Sequence, residues 1–387
     1  MRVCGVIAEY DPFHKGHERH LRLAREQSQA DYIICVMSGS FTQRGMPALF
    51  SAHDRAQMAL SCGADIVLQL PYAFSVREAE YFALGGVGIL HRLGCVTHLS
   101  FGTEFSDLSL LQKAAQLLEA PDEAFAARLR AGLDQGLSHA DAVGRAVSAQ
   151  LSMDARVLNA PNTTLALSYL RAIIRMESPM LPVPIERNTK YHAQEAEHYP
   201  SATAMRGAVL RGDWQTLQAG LPREAFAIAR GAIAEKRICP PHHMDSLLRY
   251  FLLSATPDSL SALPGISEGL EMRILKAAQT AVTRDELIAS IKTRRYTQGR
   301  ISRALCHGLM GVKAKDLPSL PDHARILGFQ KNAQPLLRQL QKGDFSLVTR
   351  PAREPLMALD LKADEFWHLA AQLPREQAYQ RGPVILP

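Results

Sequence analysis

The chain has 387 residues, of which 47% are hydrophobic and 21% are charged, and its formal net charge is +6. This balance is typical of a globular protein and excludes a disordered or fibrous chain. The length allows a large core and favours two domains. No apolar run is long enough to span a membrane and no signal-peptide cleavage pattern is visible, so we expect a cytoplasmic protein without a membrane partner.

Six cysteines are scattered along the sequence, several of them in or beside predicted strands. Isolated thiols of this kind are typical of a reducing compartment, so we expect them to be free. A metal site is one interpretation of the run from Cys239 to His243. No second pair of ligands follows it nearby, however, so we favour a proline-rich turn and assign no metal ligand.

The first stretch with chemical content follows the first predicted strand. Residues 3–8 form a short apolar run, an Asp11-Pro12 turn follows, and the pattern predicts a helix from about residue 16 to 27. Such a junction presents backbone N–H groups and a positive dipole end to a phosphate. His14 and His17 can project together from this helix start, so we predict that they stabilise charge on a transferring phosphate. The alternative is that they are surface or capping residues.

Further apolar strands alternate with helical patterns. They are predicted at residues 32–37, 65–70, 96–101 and 180–185. This spacing predicts an α/β fold with a doubly wound parallel sheet, whose right-handed crossovers place the strand-end loops on one edge. The loop at residues 38–45 is rich in small and hydrogen-bonding residues and is typical of a substrate loop. Residues 106–149 are predicted to be helical and to serve packing.

Two later segments favour nucleotide binding. Asn162 follows a proline at the start of a predicted helix, where its alternative role is that of a simple cap. Ser201 and Thr203 precede another helical pattern, and Arg206 adds a fixed positive charge, a combination that suits phosphate. An ordinary N-cap explains one of these hydroxyls but not the whole arrangement.

After Gly207 the alternation ends, which predicts a catalytic domain at 1–206 and a mainly helical domain at 207–387. The excess of positive charge lies in this second half, and between Leu287 and Lys315 there are seven basic residues and no acidic one. A helical projection of residues 291–303 places most of the basic side chains and one aromatic on a single face, which favours RNA binding over a merely solvated face. We assign this role to Lys292, Arg294, Arg295, Tyr296, Arg300 and Arg303.

Several of these motifs occur together in one order. They are Asp11 to His17, Met37 to Gly45, Gly63 to Asp65 leading to Leu70-Pro71, Ser100 to Glu104, Pro161-Asn162 and Lys292 to Tyr296. In this combination the chain resembles the tRNA(Met) cytidine acetate ligase family, which belongs to the nucleotidyltransferase superfamily with the HIGH signature. The segment from Ser201 to Arg206 resembles the ISSTxIR motif of that superfamily.

The resemblance implies that ATP activates acetate as acetyl-adenylate, and that the acetyl group is transferred to N4 of the wobble cytidine of elongator tRNA(Met). His14 and His17 would be the catalytic residues, and Mg²⁺ would accompany the triphosphate. The implied ATP contacts, together with the predicted phosphate segment, are Ile7, Ala8, Glu9, Tyr10, Asp11, Pro12, Phe13, His14, Lys15, Gly16, His17, Glu18, Arg19, His20, Gly102, Asn162, Arg187, Ser201, Thr203 and Arg206.

One departure from the family pattern is Ala52, which stands where relatives usually carry a lysine. If that lysine contacts nucleotide or tRNA, another residue must replace it here. The alternative function is a small-molecule adenylyltransferase of the same superfamily, which rarely needs a large basic helical domain. An RNA-binding protein with a vestigial nucleotide site is disfavoured, because the histidines and the phosphate segment are all present.

Overall fold

The computed structural model describes residues 1–105, 107–151, 153–158, 160–186, 201–351, 355–375 and 380–387. Its strands are β1 Val3–Ala8, β2 Tyr32–Ser38, β3 Ile66–Leu70, β4 His98–Thr103, β5 Leu181–Glu186, β6 His323–Gln330, β7 Ser346–Val348 and β8 Val384–Leu386. Its α-helices are α1 Lys15–Ser28, α2 Ala52–Ser61, α3 Tyr72–Ser75, α4 Ala79–Arg92, α5 Leu108–Glu119, α6 Glu123–Asp134, α7 His139–Leu151, α8 Ala155–Leu158, α9 Pro161–Arg175, α10 Ala202–Arg211, α11 Trp214–Gly220, α12 Arg223–Ala234, α13 Asp245–Ser254, α14 Pro257–Ser261, α15 Leu270–Ala278, α16 Arg284–Ile291, α17 Gln298–Met310, α18 Gln334–Leu340 and α19 Ala358–Ala370. No helix within these ranges is long and apolar enough to cross a membrane.

The strands form one mixed, mainly parallel sheet. Their order is β5-β4-β1-β2-β3-β6-β7, and β8 pairs with β6 beside this path. The strands from β5 to β3 are all parallel, whereas β6 runs antiparallel to β3. β1 therefore lies between β2 and β4, and the carboxyl ends of these three strands meet at one edge of the sheet.

Helices cover both faces of the sheet. One core contains Ile34, Val36 and Leu68 with residues of α4, α5 and α9, and the other contains Cys4, Val6 and Ile33 with residues of α2, α10 and α12. The strand residues alternate between the two cores because successive side chains point to opposite faces. The predicted doubly wound α/β fold is confirmed. All six cysteines are free thiols.

The prediction that strands end at Gly207 is wrong. β6, β7 and β8 return to the sheet near the end of the chain and extend it beyond β3. Among the described residues of the second half, one cluster forms a helical core of its own, with buried residues from Leu248 to Leu305. The chain between α10 and α17 is thus mainly helical, as predicted, but β6, β7 and β8 belong to the same sheet as β1 to β5.

The prediction of one helical face over residues 291–303 is also wrong. α16 ends at Ile291, and residues 292–297 are not helical. Thr297 caps α17, because its hydroxyl accepts the N–H of Arg300. The basic side chains on either side of this break therefore do not share a single helix surface.

Helix α19 packs against the predicted substrate loop at residues 38–45 and against Ala48, which follows it. Asp364 accepts hydrogen bonds from Ser40 Oγ at 2.5 Å and from Arg325 of β6 at 2.8 Å. Trp367 donates its indole N–H to the carbonyl of Ala48 at 2.7 Å. Burial raises the pKa of Asp364, and the guanidinium of Arg325 opposes that rise. These contacts hold α19 directly against the loop that follows β2.

Replacement of Asp364 by alanine tests this buried ion pair. The change leaves the buried guanidinium of Arg325 without its carboxylate, so we expect a loss of about 3–5 kcal/mol in the free energy of unfolding. Equilibrium unfolding in urea measures the loss. Glu26→Ala is the matched control, because Glu26 and its partner Arg22 on α1 are 53% and 60% exposed and such a pair contributes at most about 1 kcal/mol. Equal effects of the two variants would contradict the assignment.

Candidate nucleotide site

The two histidines of the first motif form the beginning of α1. His14 is the N-cap, and its Nδ1 accepts the N–H of Gly16 at 3.0 Å, while Nδ1 of His17 accepts the N–H of His14 at 3.3 Å. The rings stack with 3.7 Å between their centroids. Because each Nδ1 accepts a hydrogen bond, the tautomer with a proton on Nε2 is favoured in both rings. Capping and phosphate binding are therefore compatible roles, since the cap orients two Nε2–H donors.

The rest of the first motif lies around this pair. Tyr10 and Phe13 pack their rings against His17, with centroid distances of 4.9 and 5.5 Å. Residues 7 and 10–14 are buried, whereas residues 8, 9 and 15–20 are partly exposed. The start of α1 is therefore partly exposed, and the buried rings of Tyr10 and Phe13 pack against it.

Helix α1 is also connected to the neighbouring strands. His20 Nε2 lies 3.1 Å from Ser100 Oγ on β4, and Arg19 donates to the carbonyl of Glu186 at 3.4 Å. Gly102 lies near the end of β4, opposite Ile185 of β5. The predicted ATP-binding residues of β1, α1 and β4 are therefore brought together at the carboxyl edge of the sheet. Arg187 lies outside the described residues.

Asn162 is held by a carboxylate and does not act as a cap. The N-cap of α9 is Ala160, whose side chain makes no capping bond. Glu104 accepts the side-chain amide of Asn162 at 2.5 Å, and it also accepts the backbone N–H and hydroxyl of Thr163 at 2.7 and 3.0 Å. Burial alone would raise the pKa of Glu104, but the hydrogen bonds from Asn162 and Thr163 outweigh it and hold the pKa below its usual value.

The second phosphate segment contacts the first motif through one arginine. Arg206 of α10 donates to the backbone carbonyl of Asp11 at 2.7 Å and to Thr203 Oγ1 at 2.9 Å. Ser201 is the N-cap of α10 and accepts the N–H of Ala204 at 3.1 Å. The capping alternative therefore explains Ser201. Thr203 and Arg206 form a separate pair directed toward residues 9–14, the loop between β1 and α1 that ends at His14 and is called the histidine loop below.

Arg55 holds the loops after β1 and β2, and it was not predicted from the sequence. Arg55 of α2 is fully buried and donates to the carbonyls of Glu9 at 2.6 Å, Ser38 and Phe50 at 3.1 Å, and Gly39. Glu9 in turn accepts the N–H of Gln43 at 2.6 Å. Burial raises the pKa of Glu9, which the Gln43 N–H partly offsets.

The position of Ala52 is buried in the core beneath β1 and β2. It is the first residue of α2, next to the N-cap Ser51. In this chain the position therefore serves packing, and the cation of the helix that lies nearest the site loops is Arg55, three residues later.

The residues assigned to tRNA binding differ in exposure and in the element that carries them. Lys292 and Arg294 are exposed, and Arg295 is exposed and paired with Glu268 at 2.6 Å. Tyr296 is buried and its hydroxyl donates to the carbonyl of Glu268, so its ring is not exposed for stacking on a base. Arg300 and Arg303 lie on α17, where Ser302 Oγ also donates to the carbonyl of Arg44.

The chain matches the sequence model of the HIGH Nucleotidyl Transferase family over residues 1–381. A parallel sheet with the histidine pair at the helix after its first strand agrees with that match. The protein therefore belongs to the class of HIGH-type nucleotidyltransferases.

Within this class the chain belongs to the tRNA(Met) cytidine acetate ligase family. It is 38% identical to the tRNA(Met) cytidine acetate ligase of Acetivibrio thermocellus, over 97% of this chain and 96% of the relative. The enzyme of the same name from Clostridium perfringens is 32% identical over the full length of both chains. The fold is similar to the crystal structure of Thermotoga maritima TmcAL bound with alpha-thio ATP. The match covers 100% of this chain and 100% of that chain, with a TM-score of 0.91 and 29% sequence identity. The predicted family is confirmed.

Replacement of Glu104 by glutamine tests the carboxylate that holds Asn162. The folded pKa lies below the usual value of 4.5, so the stability contributed by this charge is complete above that value and is lost as the pH falls through the folded pKa. We expect Glu104→Gln to unfold at lower urea concentration than the wild type at pH 7, with the difference closing in acid. Glu123→Gln, at an exposed position of α6, is the control. A difference that persists unchanged in acid would argue against this role.

Proposed function

We propose that this chain activates acetate with ATP and transfers the acetyl group to N4 of the wobble cytidine of elongator tRNA(Met). The observation that carries the proposal is the full-length match to tRNA(Met) cytidine acetate ligases at 32–38% identity. The histidine pair at the beginning of α1 supports it, because this geometry suits reaction at a nucleotide phosphate.

In the first step a carboxylate oxygen of acetate attacks the α-phosphorus of ATP. The new bond is the P–O bond of acetyl-adenylate, and the bond to pyrophosphate breaks. No protein nucleophile is required, so positioning and electrostatic stabilisation supply the rate enhancement. His14 and His17 would donate their Nε2–H groups to the α-phosphate, while Thr203 and Arg206 would hold the departing pyrophosphate.

In the second step N4 of the cytidine attacks the acetyl carbonyl carbon. The C–N bond of acetylcytidine forms, the bond between the acetyl carbon and the AMP oxygen breaks, and N4 loses a proton. We also propose that the basic chain between residues 207 and 322 contributes the main tRNA contacts, with Lys292 and Arg294 exposed for that purpose.

A Mg²⁺ ion would fit this site only as a companion of the triphosphate. Within the described ranges no three side chains of the types His, Cys, Asp and Glu come close enough to form a metal cage. The carboxylate of Asp11 already accepts the N–H of Leu49 at 2.7 Å and lies 3.5 Å from Arg206. Mg²⁺ commonly binds substrate phosphates and water with few protein ligands, which matches these residues. Bound in this way, it would neutralise charge on the phosphates.

Nucleoside analysis of tRNA incubated with the protein, ATP and acetate tests the function. We expect N4-acetylcytidine at the wobble position of elongator tRNA(Met), together with acetate-dependent exchange of pyrophosphate into ATP. Exchange that depends on a phosphorylated metabolite instead of acetate would indicate a small-molecule adenylyltransferase.

Two substitutions of His17 separate its capping role from its catalytic role. Gln at this third helical position can accept the same N–H bond, so His17→Gln should preserve the thermal midpoint. Because it removes the imidazole donor, we expect acetate-dependent exchange to fall by about 10²–10³-fold in both His17→Gln and His17→Ala. His242→Ala, at an exposed position, is the matched control. Normal exchange in His17→Gln would remove this residue from the mechanism.

A further inference from the structure

A crevice lies between the segment after α3 and the helical part of the chain. Its volume is about 180 Å³, and it is lined by Arg77 and Glu78 on one side and by Arg300, Arg303 and His307 on the other. None of these residues belongs to the nucleotide site. The crevice is therefore a concave site separate from the candidate nucleotide site, with walls from both halves of the chain.

The crevice carries an excess of positive charge. Three guanidinium groups face one carboxylate, that of Glu78, which lies 3.3 Å from Arg303. Burial lowers the pKa of His307 to about 4, so this ring is neutral at pH 7. The remaining excess is two positive charges, which suits an anion.

Neutral groups hold two of these arginines in place. Arg300 donates to the carbonyl of Gly265 and to Ser267 Oγ, both at 2.7 Å. Arg77 donates to the carbonyl of Pro318 at 3.1 Å, and its guanidinium carbon lies 3.3 Å from the ring centroid of Tyr81. Such contacts orient the guanidinium groups without neutralising them.

The third arginine has an unused donor. Nε of Arg303 is buried and has no hydrogen-bond acceptor among the residues that the structure describes. A buried donor without a partner is costly, and an anion in the crevice would supply acceptor oxygens. This observation points to a ligand independently of the net charge.

We propose that the crevice is a phosphate-binding site in which Arg77, Arg300 and Arg303 hold one backbone phosphate of the RNA substrate. The proposal rests on the proposed function, which supplies the RNA. The guanidinium fork matches phosphate oxygens, and α17 belongs to the stretch of seven basic residues without an acidic one. A phosphate bound here would contact the catalytic sheet domain through Arg77 and the helical part through the other two arginines.

The test compares tRNA binding by the full-length wild type and Arg77→Gln over a range of salt concentrations. Loss of one phosphate contact should weaken binding roughly tenfold and reduce the slope of log affinity against log salt by about 0.7–0.9. Arg130→Gln, which removes an exposed arginine of α6, is the charge-matched control and should bind tRNA like the wild type. Acetate-dependent exchange without tRNA should not change in either variant.

A second variant should strengthen binding. Glu78→Gln removes the one carboxylate of the crevice, so we expect its tRNA affinity to rise several-fold. Arg77 and Glu78 also have structural contacts, but loss of structure would not tighten binding. If Arg77→Gln unfolds early, Glu78→Gln still decides the question, because unchanged or weaker binding overturns the proposal.

A titration with inorganic phosphate distinguishes two ligands of the crevice, a backbone phosphate of RNA and free phosphate. If phosphate raises the thermal midpoint of the wild type but not of Arg77→Gln, while both bind tRNA equally, the crevice binds free phosphate and the RNA assignment is overturned. If the wild type shows normal exchange and tRNA binding, and Arg77→Gln binds tRNA equally well, only the proposal about the crevice is overturned. A wild type that lacks acetate-dependent exchange and tRNA binding would overturn the proposed function as well.

Discussion

The buried guanidinium of Arg55 is the interaction on which the shape of the site depends. It is fully buried, and its donors are directed at four backbone carbonyls of the loops after β1 and β2. A charge in this position would be expensive without partners. The carbonyl dipoles and the nearby carboxylates of Glu9, Asp11 and Asp364 offset that cost. Burial lowers the pKa of Arg55, but a guanidinium remains charged at neutral pH.

The loops that Arg55 holds are also contacted by segments that are distant in sequence. Asp11 accepts the N–H of Leu49, and its backbone carbonyl accepts the guanidinium of Arg206. Trp367 of α19 binds the carbonyl of Ala48 in the same loop. The histidine loop is thus supported directly by α2 and α10, and by α19 through the loop after β2. Because each support satisfies a buried backbone group, the loop has few alternative conformations of similar energy.

The sequence was informative where one local pattern decides the structure. The apolar runs of β1 to β4 and the short spacing of His14 and His17 allowed the sheet and the nucleotide junction to be predicted. β6 was missed because its His323 and Arg325 resemble surface residues. They are buried only because Asp360 and Asp364, nearly forty residues later, pair with them. Likewise Arg55 resembles an exposed helix residue, since its four acceptors come from separate loops.

The predicted substrate loop at residues 38–45 connects the candidate nucleotide site with the helical part of the chain. At Gly45, φ is +68°, and a Cβ atom there would lie 2.7 Å from the backbone of Arg303, so only glycine allows this approach. Ser302 donates to the carbonyl of Arg44, while the N–H of Gln43 is bound by Glu9 beside the histidine motif. Three consecutive loop residues therefore contact α17 on one side and the end of β1 on the other. A shift of α17 would displace the same loop that contacts Glu9 beside the histidine motif, so α17 and the candidate nucleotide site cannot change position independently.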